Sequence, residues 1–503
     1  MFAQHDLERR HDDVDVPDTA FESIFGFFDS WKWTLDDRDA AGDGEINPDI
    51  LGYIFERYIN QKQMGAYYTK EDVTGYMTSA SIVPWFLERL VGRLAERGVD
   101  FDPYAPLAGS GDRYLYAAPL TGVDEPLPPG FPATVQAIAG DGRAGERASP
   151  KYGLPGESWI ECLDRMESQR ALRALVNSGG VTGSAAAVTH NLNIIALVTD
   201  LLRDTESADV LDVAYSVLTG MTVLDPACGS GAFLFAALDL LVVLYRTCIQ
   251  SMEQIAAQPG DLQPELAARF AEVLAEASKH PSHEYFLYKS VTLNNLFGVD
   301  IMPEAVEIAK LRLFLSLVEH IGTADALEPL PDLDFNLRAG NSLVGFTTAE
   351  QVDAVLGETL DVFDSSGQIL ALTAAAGAAY ESFMLEQMDP ASTADMYKMK
   401  AEVESRLATA RGLLNEVLAT EHAVAKADRG TWVQTAAPFH WFTEFYPVMS
   451  TGGFDVVLGN PPYVPKGKVG YKILGLGTTG TPDIYAPMTE KAASLCSPSA
   501  VSP

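Results

Sequence analysis

The chain has 503 residues, with 35 Lys plus Arg against 69 Asp plus Glu, giving a formal net charge of −34. A hydrophobic fraction of 47% excludes wholesale disorder, and the length suggests two to four domains of roughly 150 residues. The acid excess argues against a broad nucleic-acid-binding face, so any such surface must be local.

No uncharged apolar run reaches the about 18 residues of a membrane span. The start, MFAQHDLERRHDDVDV, lacks the apolar segment of a secretory signal. Four cysteines (Cys162, Cys228, Cys248, Cys496), none in a CxxC pair, make neither a disulfide framework nor a zinc site. A cytoplasmic, soluble protein is the expectation.

Residues 1–97 read as a helical N-terminal region. Leu51, Ile54, Phe55 and Tyr58 recur at helical spacing, as do residues from Ile82 to Leu94, and the link GAYYTK lies between these two helices. The acidic run Asp36 to Asp49 is not an EF-hand, because Pro48 falls where the bidentate Glu belongs. Residues 98–220 connect: Pro- and Gly-rich loops to about 160, then helix from 186. Residues 221–349 alternate strand and helix. A strand at Met221–Leu224 enters DPACGSGAF, a helix follows from Phe233 to about Tyr245, and a polar helical insertion spans 246–290. Next come a strand at Leu296–Val299, an amphipathic helix with Ala305, Ile308, Leu311, Leu315 and Val318 on one face, and a strand in FNLRAG. Residues 350–430 are an Ala/Glu-rich hairpin or arm. Residues 431–503 hold a strand at Phe454–Leu458 that ends in GNPPYV. The order predicts an α/β fold on a parallel sheet, with a helical N-terminal region and helical insertions.

Three anchors carry chemistry. Asp225 ends the first strand, and Gly229, Ser230 and Gly231 follow in a turn that leads into a helix. The glycines let backbone approach a ligand, and the helix start offers free N–H donors. The DPxCGSG pattern lacks the GxGxxG spacing of dinucleotide folds. An acid there suits the ammonium of S-adenosylmethionine; the plainer alternative is a tight turn. Asp300, at the next strand end, is placed to hold a ribose diol, although a helix N-cap before Pro303 fits equally. Asn460, Pro461, Pro462 and Tyr463 form the third anchor. Two prolines stiffen the turn, so the Asn460 carbonyl can hold a planar amine at fixed geometry, and Tyr463 can stack on a flipped base. The alternative is a proline-ended strand with a surface tyrosine. His280 and His283 read as surface residues, and Trp31, Trp33, Trp432 and Trp441 as packing residues.

GAYYTK at 65–70, DPACGSGAF at 225–233, GVDI at 298–301, AGNSL at 339–343 and NPPY at 460–463 occur in that order. This resembles the gamma-class N6-adenine DNA methyltransferases, above all the large Type IIG restriction–modification enzymes and phage-defence methylases of the DISARM kind. The resemblance implies a Rossmann-like S-adenosylmethionine-dependent methyltransferase domain acting on double-stranded DNA with the target adenine flipped out. It implies that Tyr68 and Thr69 hold the methionine end of the cofactor and that Asp225, Pro226, Ala227, Gly229 and Gly231 form its cradle. Asp300 would bind the ribose, Ile301 would flank the adenine, and Asn341 would meet its exocyclic amine. Asn460 to Tyr463 would hold the target base, and no metal is implied. Lys70 departs from the proline common in the family's first motif.

The family's sheet has seven strands, of which the first four are identifiable here, so the NPPY strand is expected at an edge with unpaired backbone. The family's C-terminal target-recognition domain is not seen, nor is a PD…ExK nuclease pattern at 1–45. These departures predict a truncated or frame-shifted product, with a split enzyme completed by a second polypeptide as the alternative. Other readings are a non-catalytic subunit of a defence complex and a methyltransferase acting on RNA adenine or protein glutamine.

Overall fold

The computed structural model describes residues 17–29, 32–33, 45–46, 69–257, 262–321, 328–358, 365–389, 392 and 395–498. The helix expected around Leu51–Tyr58, the loop up to Asp49 apart from 45–46, and most of GAYYTK lie outside the described residues.

Four short strands make one parallel sheet: β1 (Val223–Asp225), β2 (Leu296–Asp300), β3 (Leu337–Ala339) and β4 (Val456–Val457), in the order β3-β2-β1-β4. Registers pair Val223 with Leu296 and Val456, and Gly298 with Leu337. Sequentially separated strands that pair in parallel need helical crossovers, which cover the sheet's faces and make it α/β.

Strand periodicity assigns the two faces. Val223, Leu296 and Val456 join a core with α1 (Glu71–Glu96), α2 (Trp159–Asn177), α3 (Ile194–Asp204), α4 (Ala208–Gly220), α5 (Ala232–Ala257), α6 (Pro264–Ala277), α7 (His283–Asn294) and α8 (Pro303–Val318). Leu224, Phe297 and Val299 face the other way, against Phe439, Trp441, Phe445, Phe454 and Leu495. Several of these rings meet edge-on, as aromatic quadrupoles favour: Phe297 and Phe445 lie at 5.6 Å and 86°. Gly298 sits mid-strand because a β-carbon there would come 2.8 Å from Leu337 and 3.0 Å from the Cys228 sulfur.

Several expectations change. The helix after β1 continues past Tyr245 to Ala257, because its apolar residues up to Met252 stay buried in the core. It is long and apolar enough to cross a bilayer, yet most of its apolar window is buried inside the protein. The Pro/Gly-rich stretch is loop-dominated but pinned. Arg165 binds Glu157 and donates to the carbonyls of Pro119, Thr121 and Tyr152. The 350–430 segment is a hairpin of α9 (Ser365–Met388) and α10 (Met396–Glu421). It is not a free arm: Ala376, Phe383, Val403 and Leu407 pack on Phe335, just before β3. His280 is not on the surface. Its side chain is buried and meets Glu328 at 2.8 Å, a carboxylate that Lys289 also contacts. The sequence leaves that partner 48 residues away. His283 is half exposed, as expected. Trp441 is fully buried and donates to the Ser342 carbonyl at 3.2 Å, and Trp432 packs beside His422, so both are packing residues.

The outer side of β4 is also not bare. At its start the Phe454 N–H donates to the Leu495 carbonyl, and the Ser497 N–H donates to the Phe454 carbonyl, both at 2.8 Å. The chain leaving α11 (Tyr485–Leu495) thereby forms a parallel bridge between Phe454 and Cys496.

Lys491 on α11 is 4% exposed, and its ammonium donates to the Thr347 hydroxyl at 2.6 Å. Burial pushes it down to about 8, with Glu490 opposing. A lysine that titrates near 8 when folded and 10.5 when unfolded costs stability fully below 8, and the cost fades as pH rises towards 10.5. Lys491→Met is therefore expected to stabilise the protein by about 2 kcal/mol at pH 7. Thermal melts of both proteins should show that gain shrinking by pH 10.

Candidate active site

The sheet's carboxyl rim gathers the anchors. Asp225 and Asp300 end β1 and β2, Asn341 follows β3, and Asn460 follows β4. Parallel strands all present their carboxyl ends to one rim, which is why residues spread over 236 positions meet there.

The glycine turn folds under Asp300. Gly229 and Gly231 take φ of 53° and 93°, the left-handed region that suits glycine. The Gly229 N–H donates to Asp300 Oδ2 at 2.9 Å, and the Met302 N–H donates to Oδ1 at 2.8 Å. Asp300 thus caps its own chain turn and clamps the glycine turn across the strand gap. Asp225, 2% exposed, accepts the Ala227 N–H at 3.0 Å. Ile301 is half-buried directly after β2.

A second tie locks the cradle to β3. The Ser342 hydroxyl donates to the Pro226 carbonyl at 2.6 Å. Sequence reasoning passed over Ser342, although it lies inside AGNSL. Next to it, Asn341 Oδ1 accepts the Leu343 N–H at 3.1 Å. Among the described residues the buried Asn341 Nδ2 has no acceptor at ideal hydrogen-bond geometry; the Tyr471 hydroxyl, which burial pushes up and the Asn341 amide draws back, lies beside it.

The Asn-Pro-Pro-Tyr corner comes directly against this cradle. A β-carbon on Gly459 would sit 2.7 Å from Asp225 Oδ1, so only a glycine lets β4 exit so close to the acid. Asn460 Nδ2 donates to the Thr69 hydroxyl at 3.2 Å. That contact, across 391 positions, fixes the amide and leaves its carbonyl as the acceptor. Thr69 therefore touches Asn460, a contact the resemblance did not imply. Tyr68 lies outside the described residues. Pro461 and Pro462 are half-buried, while Tyr463 is 56% exposed with its ring 6.0 Å from that of Tyr485. Among the described residues no cluster of His, Cys, Asp or Glu could hold a metal ion.

His440, two residues after the Pro438 bridge to Asn341, is no candidate base. His440 is fully buried, its Nδ1 accepts the Phe346 N–H at 3.3 Å, and Nε2 lies 3.1 Å from Asn415 Oδ1. Burial pushes it down to about 3 despite nearby Glu444. It stays neutral and shapes the wall behind Phe346.

S-adenosylmethionine passes the test these residues set. Asp225 is a buried acid that could meet an ammonium, Gly229 and Gly231 hold the turn in the left-handed region, and among the described residues the buried Asn341 amide N–H₂ has only the Tyr471 hydroxyl beside it.

Residues 294–502 match the family described as the Eco57I restriction-modification methylase. Residues 202–328 match the MmeI DNA-methyltransferase domain. A Methanocaldococcus jannaschii protein named as a type II restriction enzyme and methyltransferase is 24% identical over 504 aligned positions, covering 88% of this chain and 32% of that protein. The chain spans about a third of the length of this curated relative. These matches support a restriction–modification methylase.

Proposed function

We propose that the chain is the catalytic core of a site-specific DNA methyltransferase that uses S-adenosylmethionine to methylate N6 of adenine, within a restriction–modification or phage-defence system. The observation that carries this reading is the junction of Gly459 with Asp225, which sets the Asn460 amide beside the proposed cofactor cradle.

When bound, S-adenosylmethionine supplies an electrophilic methyl group on sulfur. The chain's own residues then have three tasks. Asp225 would hold the cofactor's positive amino group, and Asp300 keeps the glycine turn in place through the Gly229 N–H. Asn460, oriented by Thr69, accepts a hydrogen from the exocyclic amine, which draws nitrogen lone-pair density out of the ring. The Pro461 carbonyl is the second acceptor, and Tyr463, more than half exposed, offers a face for the extruded base. No general base is needed at the corner, since the methylated amine sheds its proton to water.

The test is transfer of tritiated methyl from S-adenosylmethionine to duplex DNA, followed by nucleoside analysis. Label recovered as N6-methyladenine is the expected result. Label on RNA or protein with none on DNA would move the substrate class, and no transfer to any of them would remove the reading.

A further inference from the structure

The loop after the corner carries charge opposite to that of the chain. Residues 460–485 hold Lys466, Lys468 and Lys472 against Asp483 alone, in a protein of net charge −34. The loop is built, not loose. Pro465 and Asp483 form an antiparallel bridge, and the Ile484 N–H donates to the Val464 carbonyl at 3.0 Å. Buried Ile473 and Ile484 pack on Leu343 and Met488, with Ala227 of the cradle alongside. Lys466 serves the loop itself, donating to the Thr479 carbonyl.

Lys468 and Lys472 are different. Both are exposed, and among the described residues neither reaches a carboxylate. Arg97, Arg165, Arg173 and Arg246 are paired with acids, whereas Lys398 and Lys426, exposed and likewise without a carboxylate among the described residues, sit on and just after the hairpin rather than in this loop. A third exposed lysine, Lys70, directly follows Thr69, whose hydroxyl meets Asn460. Exposed Tyr463 belongs to the same corner.

Resting on the methyltransferase reading, we infer that Lys70, Lys468 and Lys472 form a phosphate-binding track that seats duplex DNA over the Asn-Pro-Pro-Tyr corner. On an acidic protein most of the surface repels a polyanion, so a few unpaired ammonium groups at one rim decide where it docks. Each contact displaces a condensed counterion, and that gives the track a measurable signature. Lys70, which takes a position where the family usually has proline, then has a use: it supplies charge on the corner's Thr69 side.

The experiment is fluorescence anisotropy of a short labelled duplex against the full chain over a salt series. Wild type is expected to bind at low salt, with affinity falling steeply as salt rises. The K70Q/K468Q/K472Q variant should flatten the slope of log K against log salt by about 2.7, from ~0.9 per phosphate contact, and lose at least about thirtyfold in low-salt affinity. The matching triple arginine variant should keep the wild-type slope, which separates charge from fold. An unchanged slope in the glutamine variant, preference for RNA of equal length, or no duplex binding by wild type would overturn the inference. Calorimetry with S-adenosylmethionine on the same proteins should give equal heats. Absence of heat in all of them would instead remove the methyltransferase reading and leave the salt slopes interpretable.

Discussion

Asn460→Ala is expected to lower methyl transfer about 10³-fold, ~4 kcal/mol in the barrier, while leaving the affinity for S-adenosylmethionine within about twofold. The separation follows from what each group touches. The Asn460 amide is held by Thr69 at 3.2 Å. The cradle is held by other bonds, Gly229 to Asp300 and Ser342 to Pro226. Removing the amide deletes an acceptor that matters most as the amine becomes pyramidal, so the loss belongs in kcat. Side-chain truncation at a half-buried site leaves the two prolines to keep the turn. Single-turnover transfer measured beside cofactor calorimetry checks both halves. A parallel fall in cofactor affinity would mean that the corner is part of the cradle.

Glu444→Ala is expected to destabilise the protein by about 3 kcal/mol, read as a lower urea midpoint. Glu444 is 3% exposed and takes Arg411 at 2.7 Å and Arg338 at 3.1 Å, tying the hairpin helix α10 to the end of β3. Removing the acid leaves two guanidinium groups with fewer partners, Arg338 being 10% exposed. Glu404, at 3.4 Å from Arg338 and 3.3 Å from Arg411, offsets part of that cost. Burial alone would raise the Glu444 carboxyl, but Arg338 and Arg411 draw it down to about 2. Its folded value is therefore below the ordinary 4.5, and the stability it confers is present above 4.5 and fades as pH falls towards 2. The gap between wild type and variant should narrow over that window.

The rim of the site was legible because each anchor sits at a strand end, and strand ends are marked locally. DPACGSG, GVD and GNPPY each join a short apolar run to a turn residue, so the parallel α/β order and the strand positions followed from local pattern alone. What escaped is non-local. Thr69 meets Asn460 across 391 positions, and His280 finds Glu328 across 48, so neither partner is announced by spacing. The bridge from Phe454 to Cys496 is a single pair after a helix, too short to show alternation. Ser342 was hidden for another reason. A hydroxyl that satisfies one carbonyl carries no periodic signal, and only the approach of β3 to the cradle gives it a partner. The helix after β1 ran longer than expected because polar residues beyond Tyr245 obscured an apolar face that stays buried to Met252.

The deciding measurement is calorimetric titration of S-adenosylmethionine into wild type, Asp225→Ala and Asn460→Ala proteins, which asks whether the rim holds the methyl donor. Saturable heat is expected for wild type and for Asn460→Ala, with the heat lost in Asp225→Ala. Folded wild-type protein giving no heat, or Asp225→Ala binding as tightly as wild type, would contradict that role of the rim.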